Sequence, residues 1–173
     1  MMKKLLLPCF FIVCFVLESI FVDLLPAQMF NIDRIFVPRF FLVTLLLTAV
    51  YYKRNVALLY GLGFGLLYDI TYTQIIGIYM FGYVLLPYIT SKIMRVVHSH
   101  SLIVLIIGIF IVALLEFYVY GINLLIGNGF LTFDYFIQIR LIPTLLINAV
   151  FIILVNIPLK RYFLHTFDLG KEK

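Results

Sequence analysis

The chain has 173 residues, of which 65% are hydrophobic and 12% are charged, whereas soluble domains are roughly 45–50% apolar and about 25% charged. This composition predicts an integral membrane protein and, because each span uses about 20 residues, leaves no room for a soluble catalytic or nucleic-acid-binding domain. The formal net charge of +5 is therefore interpreted through membrane topology and anionic lipid, not as a nucleic-acid footprint.

Apolar segments separated by short polar stretches predict an all-α bundle of six transmembrane helices in one membrane domain, residues 1–173. In chain order, the predicted spans cover 5–25, 38–52, 56–70, 77–94, 102–125 and 139–159. The first is interpreted as a retained span and not as a signal peptide, because its apolar run is too long and contains two acids. The fourth is expected to be interrupted by Pro87.

Basic residues in the loops predict the orientation of these spans. Of the 13 lysines and arginines, ten fall on one side of a six-span arrangement: Lys3, Lys4, Lys53, Arg54, Lys92, Arg95, Lys160, Arg161, Lys171 and Lys173. By the positive-inside rule this side is cytoplasmic. The sequence therefore predicts a multi-pass protein with both termini in the cytoplasm.

A stripe of small residues ends in a carboxylate on the third predicted span. Its members lie four residues apart and therefore share one helix face: Ala57, Gly61, Gly65 and Asp69. Small residues at this spacing permit close approach of another helix backbone, and the carboxylate needs a polar partner. The stripe is predicted to be a helix-packing or partner interface, formed either within the chain or with another protein.

Charged residues of five spans are predicted to converge in the outer half of the membrane. Counting about 1.5 Å per helical residue puts Glu18, Asp69 and Glu116 at similar depth, with Asp23, Arg39 and Arg140 nearer the outer surface. One charge at the bilayer centre costs roughly 2.5–3.5 kcal/mol on insertion scales, so these groups should pair with one another or line a wet cavity. The cluster Glu18, Asp23, Arg39, Glu116 and Arg140 is thus either a set of interhelical ion pairs or a binding pocket.

Motifs for catalysis, metal binding and cofactor binding are not apparent. His98 and His100 lack a third ligand nearby, and Cys9 and Cys14 have neither CxxC nor metal-ligand spacing. The glycines at 61, 63 and 65 lack the strand and acidic residue of a dinucleotide site. We therefore expect no cofactor, no metal and no enzymatic activity.

Six sequence blocks are spread in order over essentially the whole chain: Leu17–Asp23, Val37–Phe40, Tyr60–Asp69, Gly77–Gly82, Glu116–Gly121 and Arg140–Thr144. Together these blocks resemble the MreD family of rod shape-determining proteins in its Gram-positive form. The resemblance implies a scaffold subunit of the cell-elongation machinery in the bacterial plasma membrane. Its implied partners are MreC, MreB, and RodA with its class B penicillin-binding transpeptidase.

The family is also similar to the six-helix substrate-binding components of energy-coupling-factor transporters, which suggests a fold but not transport. An alternative function is accordingly a small-molecule or lipid-binding component of a transporter. Its pocket would be lined by Glu18, Asp69, Glu116, Arg39 and Arg140.

Overall fold

A computed structural model of the chain describes residues 2–24, 34–73, 75–97, 100–127 and 132–166, and within the first helix it describes the side chains of residues 7–21. The main helices are α1 (Met2–Leu24), α2 (Phe40–Tyr51), α3 (Arg54–Tyr68), α4 (Ile78–Val96), α5 (Ser101–Ile126) and α6 (Ile142–Thr166). These residues contain no strand, which confirms the predicted all-α class.

Two helices are extended by π-helical segments. α3 continues as Asp69–Thr73, and α6 is preceded by a short turn, Phe133–Tyr135, and a π-helical segment, Phe136–Leu141. The predicted connector after α3 and the predicted loop before α6 are therefore partly helical. The carbonyl of Ile139 accepts the backbone N–H of Ile35 at 2.8 Å, so the second π segment also bonds to the chain that enters α2.

The expected interruption at Pro87 is wrong, because α4 runs through this residue without a break. Proline removes one N–H donor from the helical ladder, but membrane helices tolerate this where neighbouring groups surround the freed carbonyl. Pro87 is buried. α6 also continues to Thr166, beyond the predicted end at 159. Its last turns contain basic residues and extend past the apolar segment.

α2 lies at the centre of the bundle. It has 12 residues, and residues 41–49 are all buried. It contacts α1, α3, α4, α5 and α6, as expected for a helix that is apolar on every side. At about 1.5 Å per residue, α2 is shorter than the roughly 30 Å hydrocarbon core, and the chain enters it through an extended segment, residues 34–39.

Three helical segments in the described part of the chain are long and apolar enough to cross a membrane: Arg54–Thr73, Ser101–Ile126 and Phe133–Thr166. Leu7–Phe21 and Phe40–Tyr51 are shorter apolar helices. The outer faces of the bundle carry large apolar side chains, such as Phe110 on α5 and Leu154 on α6, which are 60% and 67% exposed. The architecture is that of a membrane protein.

Six of the described basic residues gather at one end of the bundle, which we call the basic end: Lys53, Arg54, Lys92, Arg95, Lys160 and Arg161. Hydrogen bonds join three helices there. Tyr51 at the end of α2 donates to Asn156 Oδ1 on α6 at 2.6 Å, and Asn156 Nδ2 donates to Ser101 Oγ on α5 at 2.9 Å. The buried acidic residues lie towards the opposite end.

Candidate functional site: a buried charge cluster

Arg39 lies at the centre of a buried charge cluster, immediately before α2. It is 2% exposed. Its Nε donates to Glu116 Oε1 at 2.7 Å, and its Nη2 lies 2.7 Å from the same oxygen. Nη2 also donates to the Tyr79 hydroxyl at 2.9 Å. The guanidinium of Arg39 thus joins α5 and α4 to the start of α2.

Glu116, on α5, binds a second arginine through its other carboxylate oxygen. Arg140 Nε donates to Glu116 Oε2 at 3.0 Å. Arg140 belongs to the π-helical segment before α6, and its side chain is 26% exposed, whereas Glu116 is fully buried. Each oxygen of Glu116 therefore accepts from a different arginine, and charge-assisted bonds of this kind are stronger than neutral ones.

Glu18, on α1, is the second buried carboxylate of the cluster and is 1% exposed. It accepts the Tyr68 hydroxyl from α3 at 2.5 Å and the backbone N–H of Phe41 at 3.1 Å. Its Oε1 lies 3.9 Å from Arg39 Nη1. Since α2 has no side-chain cap of its own, Glu18 supplies an acceptor to one of the unpaired amides of its first turn, that of Phe41.

Two polar residues of α6 hold the extended segment that carries Arg39. Asn148 Oδ1 accepts the backbone N–H of Arg39 at 2.8 Å, and Asn148 Nδ2 donates to the carbonyl of Val37 at 3.1 Å. Thr144 Oγ1 accepts the Val37 N–H at 3.2 Å. These bonds satisfy backbone groups that an extended chain would otherwise leave unpaired inside the protein.

The charges within the cluster balance. The carboxylates of Glu18 and Glu116 face the guanidiniums of Arg39 and Arg140, so the four side chains carry no net formal charge. Buried charges are tolerated when they are paired and hydrogen-bonded. In the described residues no group of three or more His, Cys, Asp or Glu side chains is arranged to hold a metal ion. With Tyr68 and Tyr79 included, the arrangement joins six parts of the chain: α1, the start of α2, α3, α4, α5 and the π-helical segment before α6.

Asp69 does not pair with either arginine of the cluster. Its carboxylate is fully buried and accepts three backbone N–H groups at the start of α4: Gly77 and Tyr79 at 2.7 Å, and Met80 at 3.1 Å. Carboxylates favour helix amino termini because free amides and the helix dipole compensate their charge. Gly77 has φ 117°, a conformation that favours glycine. Asp69 therefore caps α4 from another helix.

The stripe of small residues on α3 packs against α4 of the same chain. A Cβ at Gly65 would lie 2.6 Å from Met80 Cα, and a Cβ at Gly61 would overlap the carbonyl oxygen of Tyr83. That carbonyl is the one whose helical N–H partner Pro87 removes. Gly61 thus approaches the freed carbonyl, and the groove predicted from the sequence is filled by α4.

Ala57, the first member of the stripe, is also fully buried. The side chain of Asp23, predicted to join the charge cluster, lies outside the described residues.

Tyr68 is part of the site but was not predicted. The available signal was a phenol in an apolar span, since a buried hydroxyl there requires a polar partner.

Comparison with known proteins identifies the family. The profile of the family described as rod shape-determining protein MreD matches residues 3–165. The curated rod shape-determining protein MreD of Bacillus subtilis (strain 168) is 38% identical over 163 residues, covering 94% of this chain and 95% of the relative. The chain belongs to the MreD family. No solved structure gives a significant match.

Family membership makes this chain a rod shape-determining membrane protein. Membership of the MreD family is consistent with a place in the MreCD rod-shape complex. The candidate site consequently belongs to a rod shape-determining membrane protein.

Proposed function

We propose that this MreD protein is a non-enzymatic scaffold whose buried charge cluster maintains the shape of the bundle. The observation that carries the proposal is that Glu18, Arg39, Glu116 and Arg140 bond mainly to one another and to backbone or tyrosine groups. Their charges balance without a ligand. A rigid bundle then presents its outer surface to other membrane proteins.

The proposed topology has six membrane crossings with both termini in the cytoplasm. It is supported by the basic end, which collects six described cations and to which the positive-inside rule assigns the cytoplasmic side. The cluster then lies in the outer half of the membrane. α2, although short, crosses with the help of the extended segment before it.

The proposed partners are MreC, through its membrane span, the MreB filament, and RodA with its class B penicillin-binding transpeptidase. Because α4 fills the small-residue groove, we assign partner contacts to the outward apolar faces of the bundle. Suitable faces lie on α5 and α6, where large apolar side chains are exposed. Whether these faces contact a partner or acyl chains is decided by residue-resolved crosslinking.

One observation favours the alternative, a small-molecule-binding component with a fold similar to that of energy-coupling-factor substrate-binding components. The Tyr83 hydroxyl is buried beside the Arg39 guanidinium but makes no hydrogen bond of good geometry in the described residues. The Tyr83 ring centroid lies 5.5 Å from those of Tyr68 and Tyr79, which bond to the cluster. A ligand seated beside the cluster would use this hydroxyl.

Hydroxyl deletions distinguish the two functions. Tyr83→Phe removes an unpartnered buried hydroxyl, so a scaffold should keep its folded amount or gain stability. Tyr79→Phe removes one bond to Arg39 and should lower stability slightly. For each variant, one measures cell width in a rod-shaped host that depends on the protein, recovery of MreC, and the amount of folded protein by fluorescence-detected size exclusion.

The scaffold proposal requires cell shape to follow the amount of folded protein in the complex. Tyr83→Phe cells should remain rods. Rounded cells that contain normal amounts of folded Tyr83→Phe protein, bound normally to MreC, would overturn the proposal and favour the ligand-binding alternative.

A further inference from the structure

Two cations from different helices lie against the ring of Tyr88 at the basic end. The guanidinium carbon of Arg54 is 5.2 Å from the ring centroid, and Lys92 Nζ is 5.7 Å from it. Arg54 begins α3, while Tyr88 and Lys92 lie four residues apart on α4. Cation–π contact holds both side chains at the ring, so two like charges surround one ring at the α3–α4 boundary.

The described chain supplies no anion to balance these charges. The described acidic side chains lie towards the opposite end of the bundle: Glu18, Asp69, Glu116 and Asp134. Arg54 Nε is buried and has no hydrogen-bond partner in the described residues. Arg54 also lies in the first turn of α3, which contains no acid and where the helix dipole disfavours a cation. An external anion would relieve this repulsion.

The neighbouring surface of α4 indicates which kind of anion fits. Residues at the spacing of one helix face run from apolar through aromatic to cationic: Phe81, Leu85, Tyr88 and Lys92. All four side chains are exposed, the first three by 52%, 36% and 39%. Eleven residues at about 1.5 Å each extend roughly 16 Å, close to half of the approximately 30 Å hydrocarbon core.

An apolar groove continues this face towards α5. It is lined by Phe81, Gly82, Leu85, Leu86, Leu114 and Tyr118. An acyl chain matches such a lining, whereas a free phosphate or an acidic peptide would leave it unused. The order of groups along α4 is thus the order of groups in an anionic phospholipid, with tyrosine at the level of the interface.

We propose that this face binds one anionic phospholipid in the leaflet at the basic end. The phosphodiester lies between Arg54 and Lys92, the glycerol region contacts Tyr88, and an acyl chain follows Phe81 and Leu85. Lysine and arginine side chains near the membrane surface interact favourably with anionic headgroups. Here the Tyr88 ring holds two such side chains in place. The site is separate from the buried charge cluster and does not depend on the scaffold role.

The test is native mass spectrometry of the full chain released from nanodiscs that contain phosphatidylglycerol and phosphatidylcholine in equal amounts. The wild type should retain phosphatidylglycerol preferentially. Removing a cation near the surface lowers affinity about fivefold, so R54Q/K92Q should reduce this preference roughly thirtyfold. Tyr88→Leu keeps both charges but removes the ring and should reduce the preference by a smaller factor.

R95Q/R161Q is the matched control, because it removes two exposed cations from the same end without touching the Tyr88 ring. It should retain the wild-type preference. Lys92→Gln alone, at an exposed position, keeps the test valid if the R54Q/K92Q chain does not fold. A further arm adds millimolar inorganic phosphate to the same mixed nanodiscs of phosphatidylglycerol and phosphatidylcholine, to separate a lipid headgroup from free phosphate.

Equal losses in R54Q/K92Q and R95Q/R161Q would overturn the site, since they would indicate diffuse surface attraction. Equal retention of the two lipids by the wild type would also overturn it. Displacement of phosphatidylglycerol by millimolar inorganic phosphate would replace the lipid assignment with a phosphate site. Selective loss in R54Q/K92Q, with no effect of phosphate, is the expected result.

Discussion

Arg39 and Glu116 are 77 positions apart in the chain and meet in the interior, where Arg39 Nε donates to Glu116 Oε1 at 2.7 Å. Both side chains are almost completely buried. Removing one member of such a pair leaves an uncompensated charge inside the protein and costs about 3–5 kcal/mol.

Arg39→Gln and Glu116→Gln should each strongly destabilise the bundle for this reason. Thermal unfolding of the purified protein in detergent, followed by the folded peak in size exclusion, measures the effect. Arg95→Gln, at an exposed position, is the control and should unfold at the wild-type temperature. Wild-type stability of both cluster variants would contradict a structural role for the pair.

Gly61→Ala and Gly65→Ala should lower the amount of folded protein, because each added Cβ meets the backbone of α4. Backbone cannot yield as a flexible side chain does, so we expect losses of about 1–3 kcal/mol or more. Gly63→Ala is the control, since nothing lies within 4 Å of its Cβ and alanine favours helix. Normal accumulation of the Gly61 and Gly65 variants would show that α3 and α4 are farther apart.

Asp69→Ala should destabilise the start of α4, because three backbone N–H groups lose their acceptor. Each unsatisfied buried donor costs about 1–3 kcal/mol. Asp69→Asn retains one acceptor oxygen and should lose less. Hydrogen exchange of the amides of residues 77–80 reports the effect directly, with exposed Asp134→Ala as control. Unchanged protection in Asp69→Ala would rule out the cap.

Single cysteines should report the proposed topology in a background without Cys9 and Cys14. Asn55→Cys, at an exposed position in the first turn of α3 at the basic end, should be protected from a membrane-impermeant maleimide in intact cells and react after lysis. Asp134→Cys, in the exposed turn Phe133–Tyr135, should react in intact cells. The opposite pattern would reverse the orientation.

Much of the site could be predicted from depth and charge. Glu18, Arg39, Glu116 and Arg140 lie in different spans, and the low dielectric of a membrane requires charges at similar depth to pair. The spacing of Gly61 and Gly65 likewise indicated close helix packing. These inferences need only helical periodicity and approximate span limits.

Other contacts depend on geometry that the sequence does not encode locally. Asp69 caps α4 because the π-helical segment Asp69–Thr73 and the left-handed conformation of Gly77 bring the start of α4 close to the Asp69 carboxylate. Gly61 packs against the Tyr83 carbonyl of α4, which Pro87 leaves without its helical N–H donor. Spacing alone could not distinguish that helix from another protein.

We propose above that the charge cluster stabilises the fold because its charges balance and bond to groups of the same chain. The most direct test compares Arg39→Gln, Glu116→Gln and the double variant R39Q/E116Q for rod shape in cells that depend on the protein. Each single change unbalances the cluster by one charge, whereas the double change restores neutrality and allows the two amides to bond. We predict that the double variant recovers folded protein and rod shape relative to both singles. A double variant that folds as well as the wild type but leaves the cells round would contradict the account.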